Sequence, residues 1–199
     1  MSTSNQSQLN QWLSKDLAYT YHCSPFIKRL FEADKELEQS SLQHMSHPFS
    51  RQEMESWLDD RKISDEISLN KSLRKLRQQV IANIILRDLN KLADLNEILK
   101  SVTELAEITL LHAHQFHFNF LKSMHGSPIG LNGKEQQLSI VAMGKLGGAE
   151  LNVSSDIDLI FAYPEEGDTK SNASISNQSF FIKLCIFFYI MRNICNMNS

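Results

Sequence analysis

Apolar residues recur along the first two-thirds of the chain at helical intervals. Leu73, Leu76, Val80 and Ile84 follow one another at steps of three, four and four, which lays one apolar stripe along a helix. The spacing predicts a helix from about Leu69 to Leu92, with Lys71, Arg74 and Lys75 on the opposite face. Arg77 and Arg87 fall closer to the stripe, where a long side chain buries its stem and reaches a partner with its head. Leu95, Ile98, Leu99, Val102, Leu105 and Ala106 repeat the pattern and predict a second helix from about Asp94 to His125. With so short a link, the two helices form an antiparallel hairpin. Upstream, Ser24-Pro25-Phe26 has the form of a helix start, a capping serine followed by proline at the first helical position. The polar stretch from Ser40 to Arg51 reads as a loop, and Glu53 to Asp60 as a short helix around Met54, Trp57 and Leu58.

The pattern changes at Gly126, the first glycine in the chain. Gly126, Pro128, Gly130 and Gly133 mark a loop. Leu138 to Met143 has the length and β-branched content of a buried strand, and Asp156 to Tyr163 reads as a second strand after a glycine-rich turn. Pro164 to Gln178 is polar and reads as another loop. The expected fold is α+β and mostly helical: a helical segment over 1–135, a small α+β unit over 136–185 and a tail over 186–199.

Composition narrows the function classes. The 199 residues are 42% hydrophobic and 22% charged, enough to bury a core. A net charge of −3 argues against a general nucleic-acid binder, which carries a basic footprint. Cys23, Cys185 and Cys195 are odd in number and contain no C-x-x-C pair, so neither a disulfide scaffold nor a cysteine zinc site is expected. The polar N-terminus, residues 1–10, has no apolar h-region. The longest apolar stretch, Phe180 to Met191, is 12 residues and carries Lys183, short of a membrane span. The expectation is a cytoplasmic protein.

The chemistry concentrates in Met143-Gly-Lys-Leu-Gly-Gly-Ala-Glu-Leu-Asn-Val-Ser-Ser-Asp-Ile-Asp158. Residues two apart on a strand share a face, roughly 6.5–7 Å apart, so Asp156 and Asp158 present two carboxylates side by side while Ile157 and Leu159 turn inward. Such a pair repels unless a cation lies between, and hard oxygen donors beside a phosphate suit Mg²⁺. Gly144 lets backbone approach a phosphate closely, and a following helical turn offers free N–H groups to an anion. Lys145, Ser154 and Ser155 add donors.

Other constellations carry less. On a helix His114 and His117 share a face but His112 does not, so the three read as a polar helix edge rather than a zinc site. Glu165, Glu166 and Asp168 follow Pro164 and read as a solvated turn. Gly144-Lys-Leu-Gly147 also satisfies the G-x-x-G of a KH loop, leaving a non-catalytic interaction or RNA-binding module as the alternative, although a KH loop joins two helices. No Walker loop is present.

Met143-Gly144-Lys145, ten residues, then Asp156-Ile-Asp158-Leu resembles the signature of polymerase-β-type nucleotidyltransferases. The full string to Phe161 is closer still to the repeated motif of the glutamine synthetase adenylyltransferase/adenylyl-removing enzyme family. Leu73-Arg-Lys-Leu-Arg-Gln-Gln-Val-Ile81 resembles the arginine-rich helix of that family's first, adenylyl-removing half. The resemblance covers roughly residues 10–185 and implies an incomplete nucleotidyltransferase core after the helical segment. It implies Mg²⁺-dependent removal of AMP from glutamine synthetase by phosphorolysis, a nucleotide (ATP, ADP or the AMP group) and phosphate as ligands, and the PII signalling protein as regulator. Carried over by position, Asp156 and Asp158 are the metal ligands and catalytic carboxylates. Gly144, Lys145, Gly147 and Gly148 form the phosphate turn, with Ser155 beside the first ligand. The family's third carboxylate and its V-D-x-R-L-R-P segment have no match here, and Ile186–Ser199 does not continue the helix begun at Phe180. The expectation is a truncated chain of weak or no activity, with an apolar tail that lacks a partner.

Overall fold

The computed structural model describes residues 17–195, with side chains as far as Phe188. The N-terminal readings at residues 1–10 lie outside it, as do the side chains at 189–195 and all of 196–199. Residues 17–23 are helical. There follow α1 (Pro25–Ala33), α2 (Lys35–Gln43), α3 (Arg51–Asp59), α4 (Glu66–Leu89), α5 (Leu95–His125), β1 (Pro128–Gly130), β2 (Ser139–Ala142), α6 (Gly144–Gly147), β3 (Leu159–Ala162), β4 (Gly167–Thr169) and α7 (Asn177–Cys195). The fold is α+β and mostly helical, as expected.

Caps set the helix starts. The Ser24 hydroxyl accepts from the Ile27 N–H, with Pro25 at the first position. Ser50 and Glu53 form a reciprocal capping box at α3, as do Asp65 and Ser68 at α4, and Asp94 caps α5. Each satisfies backbone donors that a helix start leaves unpaired. The loop expected over Ser40–Arg51 is shorter than read, because α2 continues to Gln43 and only the turn through His44–Ser50 remains irregular.

The stripe on α4 is buried as its period requires: Leu73, Leu76 and Val80 are fully enclosed and Ile84 nearly so. Val102, Leu105 and Ala106 of α5 meet them. Leu95 departs from its stripe, lying exposed at the first position of α5, before the helix meets its neighbour. Arg87 buries its stem and reaches a partner: Nε and Nη2 donate to the two Glu97 oxygens at 2.8 and 2.9 Å. Nη1 and Nη2 also donate to the carbonyls of Met45 and Leu92, each at 2.8 Å.

Two short sheets complete the fold. β2 and β3 pair antiparallel, Ser139 opposite Ala162 and Ala142 opposite Leu159. The stretches read as glycine and polar loops contain a second antiparallel pair, β1 with β4, Pro128 opposite Thr169 and Gly130 opposite Gly167. α7 packs through Phe180, Phe181 and Leu184 into the main core.

Two expectations for the C-terminal region are corrected. The helix does not stop near Cys185 but continues to Cys195, and Phe187 and Phe188 have partners. Phe188 stacks on His114 and lies against Phe161, while Phe187 stacks on His117. The same contacts overturn the polar-edge reading of the histidines. His117 is buried and His114 half-buried, and burial holds both imidazoles below their ordinary pKa, His117 at about 4. Among the described residues, no helix is long and apolar enough to cross a membrane.

Candidate functional site

β2 ends at Ala142, and the chain turns at Gly144, which holds φ +55°, a conformation that favours glycine. The four-residue α6 follows, pinned by the buried Leu146 while Gly144, Lys145, Gly147 and Gly148 are exposed. Its N-cap, Met143, makes no side-chain cap bond. Gly147 passes so close to β2 that an added Cβ would lie 2.5 Å from the Ala142 carbonyl oxygen, so any larger residue displaces the turn.

The return path carries the two aspartates. β3 begins only at Leu159, so Asp156 and Asp158 lie in the extended lead-in rather than within the strand. The ladder still reaches Asp158, since the Met143 N–H donates to its carbonyl at 2.9 Å. Exposure alternates through the segment: Asp156, Asp158 and Ile160 face out, while Ile157, Leu159 and Phe161 pack against the core. The Asp158 Oδ2 lies 3.7 Å from where a Cβ on Gly144 would stand, so the glycine turn and this carboxylate adjoin. The residues fit a hard cation: two outward carboxylates, unscreened by a hydrogen-bonded basic partner among the described residues, stand beside an uncapped turn. Asp156 and Asp158 belong to no described group of three His, Cys, Asp or Glu ligands.

Between the turn and the aspartates, Asn152 organises the loop. Its Oδ1 accepts from the Ser154 N–H at 3.1 Å, the Ser154 hydroxyl at 3.2 Å and the Ser155 hydroxyl at 2.8 Å. Ser155 is thus held beside Asp156 by Asn152. The sequence reading passed over Asn152, although Asn followed at two and three residues by serines is an Asx-turn signal. The loop lies over the helical hairpin. The Leu151 N–H reaches the Thr103 hydroxyl of α5 at 3.4 Å, and Leu73, Arg77 and Ile81 of α4 face Asn152, Ser155 and Ile157 across a small cleft. The fold therefore brings the arginine-bearing helix and the aspartate loop together.

The remaining candidates lie apart. Glu165 accepts from Gln136 Nε2 at 3.5 Å, and Glu166 accepts from the Tyr163 hydroxyl at 2.8 Å. Asp168 is on β4 opposite Ile129, past the far end of β3 from the aspartates. The G-x-x-G is entered from a strand and is itself a helical turn, not a loop between two helices as in a KH module.

Comparison with known proteins adds a family. The model of the family described as glutamate-ammonia ligase adenylyltransferase matches residues 14–189. The chain is 47% identical over 166 residues to a bifunctional glutamine synthetase adenylyltransferase/adenylyl-removing enzyme of Nitrosomonas eutropha, covering 81% of this chain and 18% of that protein. Its counterpart in Nitrosomonas europaea gives the same identity and coverage. The enzyme of that name in Aromatoleum aromaticum is 41% identical over 172 residues, covering 86% of this chain and 18% of the relative. The chain thus spans less than a fifth of the length of these relatives.

Proposed function

The chain belongs to the glutamate-ammonia ligase adenylyltransferase family, and from that membership we propose that it handles an adenylyl group on glutamine synthetase. The direction we infer is removal. An oxygen of inorganic phosphate attacks the AMP phosphorus, the bond to the tyrosyl oxygen breaks, ADP leaves, and the tyrosine takes up a proton. The observation that carries this reading is the placement of the Gly144 turn against the Asp158 carboxylate at the mouth of β2 and β3.

Each residue has a part. Asp156 and Asp158 hold Mg²⁺, which when bound neutralises phosphate charge and aligns attacking and leaving oxygens. Gly144 to Gly148 give the nucleotide phosphates a close approach to backbone, with Lys145 as a flexible positive charge. Ser155, oriented by Asn152, lies beside the first carboxylate. The nucleotidyltransferase-type core consists of β2, α6 and β3 with the helical hairpin behind them. PII acts on it as a regulator, and the setting is cytoplasmic. Two carboxylates leave most of the coordination shell of Mg²⁺ to water, so metal affinity and turnover are low in this chain alone.

The test is calorimetric titration of the full chain with ADP in the presence and absence of Mg²⁺, repeated with Asp156→Asn and Asp158→Asn. A parallel assay follows phosphate-dependent ADP formation from adenylylated glutamine synthetase. Mg²⁺-dependent ADP binding that falls at least about tenfold in either variant supports the reading. Binding indifferent to both aspartates removes it. Rapid ADP formation by the chain alone leaves the site assignment in place and overturns the low turnover.

A further inference from the structure

A second set of ligand-bearing residues lies on other elements, at the turn between α2 and α3. One ligand atom each from His44, His47 and Glu53 falls within 4.8 Å of the others. His47 Nε2 stands 3.4 Å from Glu53 Oε1. Glu53 Oε2 is engaged separately, accepting from the Ser50 N–H at 2.8 Å and the Ser50 hydroxyl at 2.6 Å. That division leaves one carboxylate oxygen anchored and the other facing the histidine. His44 Nδ1 lies 2.8 Å from the Ser40 carbonyl, a contact that needs the proton on Nδ1 and leaves Nε2 with the lone pair.

The turn is held from beneath by two polar side chains of α4. Asn83, fully buried, donates from Nδ2 to the carbonyls of His44 and His47, at 2.9 and 3.3 Å. Arg87, also buried, donates to the carbonyl between them, on Met45. A buried amide and a buried guanidinium thus fix the backbone that carries both imidazoles. Beside them opens a cleft of about 230 Å³ whose wall includes His44, Ser41, Phe49 and Trp57. The Ser41 hydroxyl on that wall is buried and has no hydrogen-bond partner among the described residues.

We propose that His44, His47 and Glu53 form a binding site for a borderline divalent cation of the zinc class. The donor set decides the class: two imidazole nitrogens and one carboxylate oxygen suit Zn²⁺, whereas Mg²⁺ and Ca²⁺ take oxygen. Three protein ligands leave a fourth position for water or a small anion. The cation would join the C-terminus of α2 to the first turn of α3. The backbone is already fixed by Asn83 and Arg87, so only side-chain rotation is needed to close the ligands around it. His44 also carries a carbonyl hydrogen bond of the kind that orients metal-ligating imidazoles.

The experiment titrates the full chain with Zn²⁺ alone by calorimetry and with Co²⁺ by visible absorption. Expected are one bound equivalent and an intense d–d absorption band of low-coordinate Co²⁺, with Mg²⁺ unable to displace either ion. His44→Ala, His47→Ala and Glu53→Gln each weaken Zn²⁺ binding at least about tenfold. Glu53→Gln keeps an oxygen for the Ser50 cap, so its loss of binding reports on the metal rather than on folding. Circular dichroism confirms that each variant is folded. His125→Gln, at a half-buried histidine elsewhere, leaves the affinity unchanged. Zn²⁺ affinity that survives in folded His47→Ala and Glu53→Gln chains overturns the proposal, as does the absence of a stoichiometric Zn²⁺ site in the wild-type chain.

Discussion

The imidazole of His117 and the ring of Phe187 lie face to face, centroids 4.1 Å apart and planes 8° from parallel. Among the described residues neither nitrogen of His117 has a hydrogen-bond partner, and the side chain is buried. Charging it therefore has no compensation, and burial lowers its pKa from 6.5 to about 4. Above pH 6.5 the histidine is neutral in both folded and unfolded chains. Between 6.5 and 4 the unfolded chain binds the proton and the folded one resists it, so stability falls as pH falls. The expected loss is up to about 3 kcal/mol by pH 4. Urea unfolding across this range checks it, and His117→Gln flattens this part of the pH profile.

Arg87 and Glu97 form a bidentate pair that also satisfies the carbonyls of Met45 and Leu92. Arg87→Met leaves two carbonyls and a largely buried carboxylate without their donor. The expected cost is about 3 kcal/mol, read as a lower urea midpoint. Glu97→Gln keeps an acceptor and a similar shape, and costs about half as much.

Gly147 and Gly148 are adjacent in sequence but different in space. An alanine Cβ at 147 meets the Ala142 carbonyl oxygen at 2.5 Å, whereas at 148 its nearest neighbour is 3.5 Å away. Gly147→Ala is expected to push α6 off β2, costing about 2 kcal/mol and weakening Mg²⁺–ADP binding. Gly148→Ala changes stability by less than about 0.5 kcal/mol. Thermal unfolding and the ADP titration distinguish the two.

Asn152→Ala removes the acceptor shared by Ser154 and Ser155. The expected result is faster amide hydrogen exchange at Ser154 and Ser155, with little change in global stability because the loop opens locally. ADP affinity falls with it, since the lead-in carrying Asp156 is no longer held.

The long helices were legible because their signal is local. Leu73, Leu76, Val80 and Ile84 state a period within twelve residues, and Ser24, Ser50, Asp65 and Asp94 sit at the starts of four helices. The strands β1 and β4 were not legible. Each is three residues long, each contains glycine, and Pro128 finds its partner at Thr169, so no period forms and the pairing is remote. His114 and His117 were misread for a related reason: what makes them buried is Phe187 and Phe188, brought by a helix whose continuation the reading did not expect. At the candidate site, the glycine turn and the D-x-D spacing were visible in the sequence. The late start of β3, the role of Asn152 and the cover supplied by Thr103 and Arg77 depend on how the loop folds back over α4 and α5.

The pairing of Gly130 with Gly167 makes residues 131–166 a closed excursion, leaving the body and returning to it at one point. β2, α6, the aspartate lead-in and β3 all lie within that span. Insertions at its neck would be tolerated topologically, since they leave the order of the flanking helices untouched. Yet the excursion is not an independent unit, because Leu138, Leu146 and Leu151 are buried in the same cluster as Leu73 and Leu105. Formation of β1–β4 must wait until the intervening chain has collapsed and brought its ends together. The helical hairpin can therefore assemble first and serve as the template on which the Gly144 turn and the neighbouring aspartates are shaped.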